Sequence, residues 1–421
     1  MARKPFNLLH KPLLLAVWAA ALTPIWGGAG ELLGAFELAL QNDRSYLNAQ
    51  AEEKLGQLDA RRAGLTYLPT VYMEQGRSAF EKSDRTTIQA IQPLLDFDKY
   101  TSLKESPVKA AYAQATLGVR ELELAKRLFA AYSNLVRSNG LRKLALLESQ
   151  ALERQVQRAQ RRFDLGYASV MDVSLAQVQY AQAMARYQSL QNDIQLAQQK
   201  LFSLTGATYR SLQSHPADDV AATLLQEGAT TVDEQAIEHP QITQSKVLVQ
   251  LAELGVTRSK SSFLPQLNLI VRNSQYAGMT DDYQGVQLSF PSGVSMYGIQ
   301  AGQRAQVDLE RARRALEEVE EQLRLEREST ELALKVNAQE LVFRRNAEKV
   351  SAQNVASTER AYEAGIVKAS DVVNAILAKF EVQRQKLLLH MSMSEQRLVN
   401  SLNRGASAKK SLEDVSRFFR E

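Results

Sequence analysis

The chain has no cysteine. That excludes a disulfide framework, a cysteine metal site, a thiol nucleophile and a lipid carried on an N-terminal cysteine. Histidine is almost as scarce: His10, His215, His239 and His390 are the four present, none at zinc-binding spacing, so no metal is expected. No glycine-lysine phosphate loop occurs, and the many acids lie in charged helical surfaces without catalytic grouping, so neither an enzyme nor a cofactor is expected. Long apolar runs are missing beyond the first thirty residues. There, Arg3, Lys4 and Lys11 precede the stretch from Pro12 to Leu22, and small residues around Gly27 to Ala29 follow, as in a secretory signal peptide spanning 1–29. The stretch is shorter than a spanning helix requires. Net charge is also small, +4 over the whole chain and about +1 once the three basic residues are removed, so nucleic acid is not an expected partner.

What the chain does contain is itself, twice. Phe163-Asp164-Leu165-Gly166 leading to Asp172-Val173 is echoed by Tyr362-Glu363-Ala364-Gly365 leading to Asp371-Val372, at an offset of 365 − 166 = 199. Gly206 falls on Gly405 at the same offset, and Tyr67-Leu68-Pro69 is echoed by Phe263-Leu264-Pro265 at 265 − 69 = 196. Two near-copies of one unit therefore stand in tandem.

Each copy reads as helix, two strands, long helix, turn, helix. The opening helices are predicted from about Phe36 to Leu65 and from Asp233 to Ser261, each ended by a leucine-proline step. The period then changes to two: Leu267, Leu269 and Val271 alternate with polar neighbours, as do Val286, Leu288 and Phe290, and more weakly Val71, Met73, Ile88 and Ala90. Such strands fit a soluble sheet or a lipid-facing barrel wall equally well.

Ser106 reads as a helix cap with Pro107 at the first helical position, opening a long helix at about 107–165; its counterpart covers about 302–364. Sixty residues at 1.5 Å each make a rod of roughly 90 Å. Leucine and alanine recur every seven residues on it, at Leu117, Leu124 and Ala131, at Leu122, Phe129 and Val136, and at Leu309, Leu316 and Leu323. Two seams on one helix require neighbours on both sides, hence a sheet or ring of helices; a two-stranded coiled coil would leave one seam in water. The return helices, about Asp172 to Leu204 and Asp371 to Leu402, carry faces of small and amide residues suited to a polar lumen. Asp172 and Asp371 stand where they can accept the free amides of a helix start. Ala207 to Thr230 and Ala406 to Glu421 read as irregular segments around the middle of the rods.

The paired copies, the strand endings Gln92-Pro93-Leu94 and Ser289-Phe290-Pro291, and the helix turns at Gly166 and Gly365 together resemble the TolC-like outer membrane efflux family over nearly the whole mature chain. The resemblance implies a mixed fold: a homotrimer in the Gram-negative outer membrane, each chain giving four strands to one shared twelve-stranded barrel and its helices to a hollow periplasmic barrel. It divides the chain into a first repeat at 30–206, a linker at 207–230, a second repeat at 231–405 and a tail at 406–421. It also implies a passive exit duct in a tripartite export system. The partners would be a periplasmic adaptor (membrane fusion) protein, an inner membrane transporter of ABC or proton-driven type, and outer membrane lipid. The missing lipid-anchor cysteine leans toward type I secretion or general efflux. Carried over by position, the adaptor-docking tips are Leu165, Gly166, Tyr167, Ala168 and Ser169 with Ala364, Gly365, Ile366, Val367 and Lys368. The periplasmic gate falls on Asp371, with Asn374 standing where the family's familiar member has a second acid. The competing reading is an exported structural coiled coil or adaptor without a channel, which would not need two full copies.

Overall fold

The computed structural model describes residues 29–77, 84–209, 215–216, 239–261, 263–276, 278–290, 296–417 and 419–420. The expected signal peptide, most of the linker and the start of the second opening helix lie outside them. In chain order the elements are α1 (Ala29–Asn42), α2 (Arg44–Leu65), β1 (Thr70–Arg77), β2 (Asp84–Leu95), α3 (Phe97–Asp164), α4 (Val170–Thr205) and β3 (His215–Pro216). The second half supplies α5 (Pro240–Ser261), β4 (Gln266–Tyr276), β5 (Met279–Ser289), α6 (Met296–Glu363), α7 (Ala369–Asn403), α8 (Ala408–Ser416) and β6 (Phe419–Arg420).

Helices α3 and α6 are 68 residues each, about 100 Å long at 1.5 Å per residue. The long helix begins ten residues before Pro107, at Phe97, which corrects the start expected from Ser106. Asp96 is the cap, its carboxylate accepting from the amides of Asp98 and Lys99. Pro107 sits inside the helix, where its missing amide costs about 3 kcal/mol. The turns before it are held from outside: Arg258 of α5 reaches Asp98 at 2.9 Å and the buried Glu105 at 3.3 Å. Tertiary ion pairs thus carry the helix across a residue that local propensity would place at its start. The first opening helix is likewise two helices, interrupted at Asp43, which caps α2 by accepting from the Tyr46 amide at 2.9 Å.

The strands form one antiparallel sheet in the order β1-β2-β4-β5, so β1 and β5 are edges. Its two faces differ in composition, although each is mixed. Val71, Met73, Ile88, Ala90, Leu269, Val271, Val286 and Leu288 share one side, and Tyr72, Gln89, Arg272 and Tyr283 form a row on the other, followed by Glu74, Thr87, Ser274 and Asp281. Among the described residues no helix is long and apolar enough to cross a membrane.

The main core lies at mid-rod, where Leu124, Leu128, Phe129 and Leu135 of α3 pack with Leu32 and Phe36 of α1, Leu201 of α4, and Leu398 and Leu402 of α7. The C-terminal tail is part of it, contrary to the expected irregular segment. Leu412 and Val415 of α8 are buried, and the Phe419 ring lies tilted against Phe129 and edge-on to Tyr132, with centroid separations of 6.0 and 5.7 Å. Ala408, Leu412 and Val415 recur at helical spacing along this nine-residue segment, and burial of that apolar side holds the helix. A second core of Leu152, Ala176, Ala183, Val372 and Phe380 lies nearer the α3–α4 and α6–α7 turns. Between the two cores, Glu148 of α3 is fully buried and bound by Arg186 of α4 and Arg384 of α7, each at 2.7 Å.

Candidate functional site

Both long helices end in the same hydrogen-bonded closure. At the first, the Gly166 amide donates to Phe163 O and the Tyr167 amide to Arg162 O; at the second, Gly365 donates to Tyr362 O and Ile366 to Ala361 O. Both glycines have φ of 76°, a left-handed conformation that side chains resist. The expected tip residues are therefore the two reversals of one end of the rod, and Leu165, Tyr167 and Ile366 project into solvent there.

The helices that leave the turns differ in their caps. Ser169 and Asp172 form a reciprocal capping box, each side chain taking the other's amide at 3.2 and 3.1 Å. Lys368 replaces the serine and has no acceptor to offer, so Asp371 alone bonds across, accepting from the Lys368 amide at 3.0 Å. Asp371 and Asn374 lie on one exposed face of α7, while Val372, Val373, Ala375 and Ile376 turn inward. The same helical face continues through Ala378 and Glu381. Asp371 thus both caps the helix and presents a carboxylate to open space.

Between the tip turns lies a cleft of about 530 Å³ lined by Arg158, Arg161, Arg162, Tyr167, Tyr362, Glu363, Ala364 and Gly365. Arg158 pairs with Glu359 at 3.0 Å. Arg162 donates to the Tyr362 carbonyl and lies over its ring at 4.6 Å, tying the first copy to the second. Burial raises the Tyr362 phenol above its ordinary pKa, a shift opposed by Arg162 and reinforced by Asp172. None of Arg158, Arg162 and Tyr362 was singled out as a cleft residue from sequence, because the contact joins positions two hundred residues apart. The echo of Phe163 by Tyr362 was the one available signal.

The helices also have edges. In the half of the rod near the sheet they lie in the order α2-α3-α5-α6, and in the half near the tips in the order α4-α3-α7-α6. Helix α6 is therefore an edge along its whole length, directly below the edge strand β5. Its inward seam, Leu309, Leu316 and Leu323, faces neighbours as expected, but a second one stands bare: Leu332, Val336, Phe343 and Val350 are all exposed, Phe343 at 72%. The opposite edge shows Leu55, Leu58 and Leu65 on α2, and Met171, Val178 and Leu196 on α4. Sheet and helices are thus open on the same two sides, as in a piece of a closed ring whose interface is heterologous. Among the described residues no cluster of acids and histidines could hold a metal ion.

Residues 35–207 match the family described as outer membrane efflux protein. The chain is 23% identical over 390 residues to the alkaline protease secretion protein AprF of Pseudomonas aeruginosa, covering 84% of this chain and 80% of that one. It is 24% identical over 266 residues to the outer membrane protein TolC of Vibrio cholerae, covering 60% of this chain and 58% of the relative. Among solved structures, CusC superposes with a TM-score of 0.78 at 12% identity, over 90% of this chain and 92% of the other. The family match spans the first copy, and the superposition extends the fold across the second.

Proposed function

The chain belongs to the outer membrane efflux protein family, and from that premise we propose how its parts divide the work of an exit duct. The protein resides in the outer membrane and reaches into the periplasm, a non-catalytic, homotrimeric channel that works with a periplasmic adaptor and an inner membrane transporter. In the proposed division, residues 1–29 direct export, and the repeats at 30–206 and 231–405 build barrel and rod. The tail at 406–421 girds the middle, and the linker at 207–230 joins the repeats. The turns at Leu165 to Ser169 and Ala364 to Lys368 dock the adaptor.

Asp371 and Asn374 form the gate. The observation that carries this is their shared exposed face on α7, a helix flanked by α3 and α6 whose other side is packed: closure of three copies would turn that face toward the axis. Three Asp371 carboxylates would then attract cations and repel one another, while Asn374 adds polarity without charge. The transporter is of the ABC type and the cargo is protein, a reading supported by the likeness to a protease secretion protein.

Planar bilayer recordings of the reconstituted trimer test the gate. Asp371→Asn is expected to lower cation preference and block by divalent cations, and Asn374→Asp to raise both. Unchanged selectivity in the two variants, with trimers and openings preserved, would leave Asp371 as a helix cap alone.

A further inference from the structure

Two carboxylates meet α7 at a single level. Glu148 of α3 is fully buried, and its two oxygens are divided between Arg186 of α4 and Arg384 of α7, each at 2.7 Å. Glu348 of α6 accepts from Lys386 at 2.8 Å and from the Gln383 amide at 3.1 Å, and Arg344 of the same helix donates to Gln385. One turn of α7, residues 383–386, is therefore tied to both of the rods that flank it. A carboxylate shared by two guanidinium groups makes strong, directional attachments. Duplication did not produce this one twice: at the offset of 199, Glu148 falls on Ala347 and Arg384 on Ala185.

Toward the tips the contact changes character. Among the described residues no hydrogen bond or ion pair joins positions 369–382 of α7 to another helix; Ala369, Val372, Val373, Ile376 and Phe380 pack there through apolar contacts. On the Glu148 seam of α3, one heptad nearer the tips, Gln155 is 1% exposed and its amide has no partner among the described residues. An unpaired buried amide is a standing cost of this arrangement, which a displacement that pairs it would remove.

We propose that residues 383–386 are the collar of the gate: Glu148 and Glu348 act as positioning residues that fix α7 at one height, and the stretch from Ala369 to Glu381 shifts about that height as the duct opens. The inference rests on the gate reading of Asp371 and Asn374, which lie about 20 and 15 Å tipward of Arg384 at 1.5 Å per residue, and adds where their motion is held. Apolar contacts are non-directional and let a helix shift, whereas moving Arg384 away would leave a fully buried carboxylate half-paired.

Because the chain has no cysteine, a spin label at Asn374→Cys, or at the exposed Leu388→Cys beyond the collar, reports one set of threefold distances in the purified full-length trimer. Arg384→Met and Lys386→Met should each widen the Asn374 distribution about twofold and leave that at Leu388 unchanged. Arg186→Met removes an equal bond to Glu148 without touching α7. It should lower the melting temperature by a few degrees, as Arg384→Met does, and leave both distributions narrow. Arg384→Lys, which keeps a charge within reach of Glu148, should restore the narrow distribution. In planar bilayers the unlabelled Arg384→Met trimer should conduct about twofold more than the parent, and Arg186→Met the same as the parent. Both arginines are partly exposed and Glu148 keeps one partner in either variant, so the trimer is retained. Equal widening in Arg186→Met and Arg384→Met overturns the collar and leaves Glu148 as support for the core alone. Narrow distributions in Arg384→Met and Lys386→Met overturn it and leave the gate to the selectivity recordings. Widening at Asn374 with unchanged conductance removes the gate reading and the collar with it.

Discussion

Helices α3 and α6 have equal length and begin and end 199 positions apart, yet their surroundings are opposite. α3 is interior within a single chain, flanked by α2 and α5 toward the sheet and by α4 and α7 toward the tips. α6 lacks a neighbour on one side throughout. Leu144 and Ala151 of α3 pack against the two cores, whereas their counterparts Phe343 and Val350 are bare. Duplication preserved the backbone and left the side chains to answer to position in the ring. What completes the second helix is therefore another copy of the chain, and the stability of α6 depends on assembly in a way that of α3 does not.

The largest expected effects break this contrast directly. Phe343→Glu should abolish the trimer, read as mass in detergent, while leaving helix content near normal, since each buried phenylalanine contributes about 1.5–3 kcal/mol to the interface and a buried charge adds a further penalty. Leu144→Glu should instead lower the melting temperature of the chain itself. If both variants merely shift melting and both remain trimeric, α6 is not the subunit edge.

Next in size are the two turns. Valine at either glycine is strained by about 1–3 kcal/mol. An added Cβ at Gly365 lies 3.7 Å from the Arg162 guanidinium, whereas nothing lies within 4 Å of one at Gly166. Export should therefore fall further for Gly365→Val than for Gly166→Val, with trimer yield retained in both. Equal losses would make the turns interchangeable.

His239, just ahead of α5, feels both long helices. Burial first, then Lys126 of α3 and Arg327 of α6, hold its pKa at about 4 against an ordinary 6.5. It is neutral in the folded chain, and its Nδ1 accepts from the Gln241 amide at 3.3 Å. Between those two values the unfolded chain binds the extra proton, so the contribution to stability falls as pH drops from about 6.5 toward 4. His239→Gln should flatten denaturant midpoints across that window, by roughly 1–3 kcal/mol at its acid end. The smallest effect concerns the caps. Ser169→Ala should destabilise by about 1 kcal/mol and Lys368→Ser should stabilise by a similar or smaller amount, both read by thermal melts.

Much of this architecture was legible because helices of this length leave few alternatives. The offset of 199, the seams at Leu124 and Phe129, and the alternation from Leu267 to Phe290 predicted the elements, and the two glycines marked the turns. The departures share one cause, which is that tertiary contacts outweighed local rules. Pro107 was absorbed because Asp96 and Arg258 hold the turns before it, and the tail became a helix because the mid-rod core took up Leu412 and Val415. The bare seam of α6 was present as a seven-residue repeat at Val336, Phe343 and Val350, but spacing does not say which of two seams finds a partner within the chain. At the tips the residue types were readable and their pairing was not, since Arg162 and Tyr362 meet only after the two copies fold together.

The matched lengths of α3 and α6 act as a ruler. Both rods start at the sheet and end in the same closure, so the two turns of a chain finish level, and a threefold ring presents an even rim. Adding about seven residues to one rod would advance its turn by about 10 Å and tilt that rim. Added in register to α3, α4, α6 and α7 together, the same insertion would lengthen the duct and keep its end flat. Gauge, in this molecule, is written as a residue count, and it can be altered only in whole heptads and on all four legs at once.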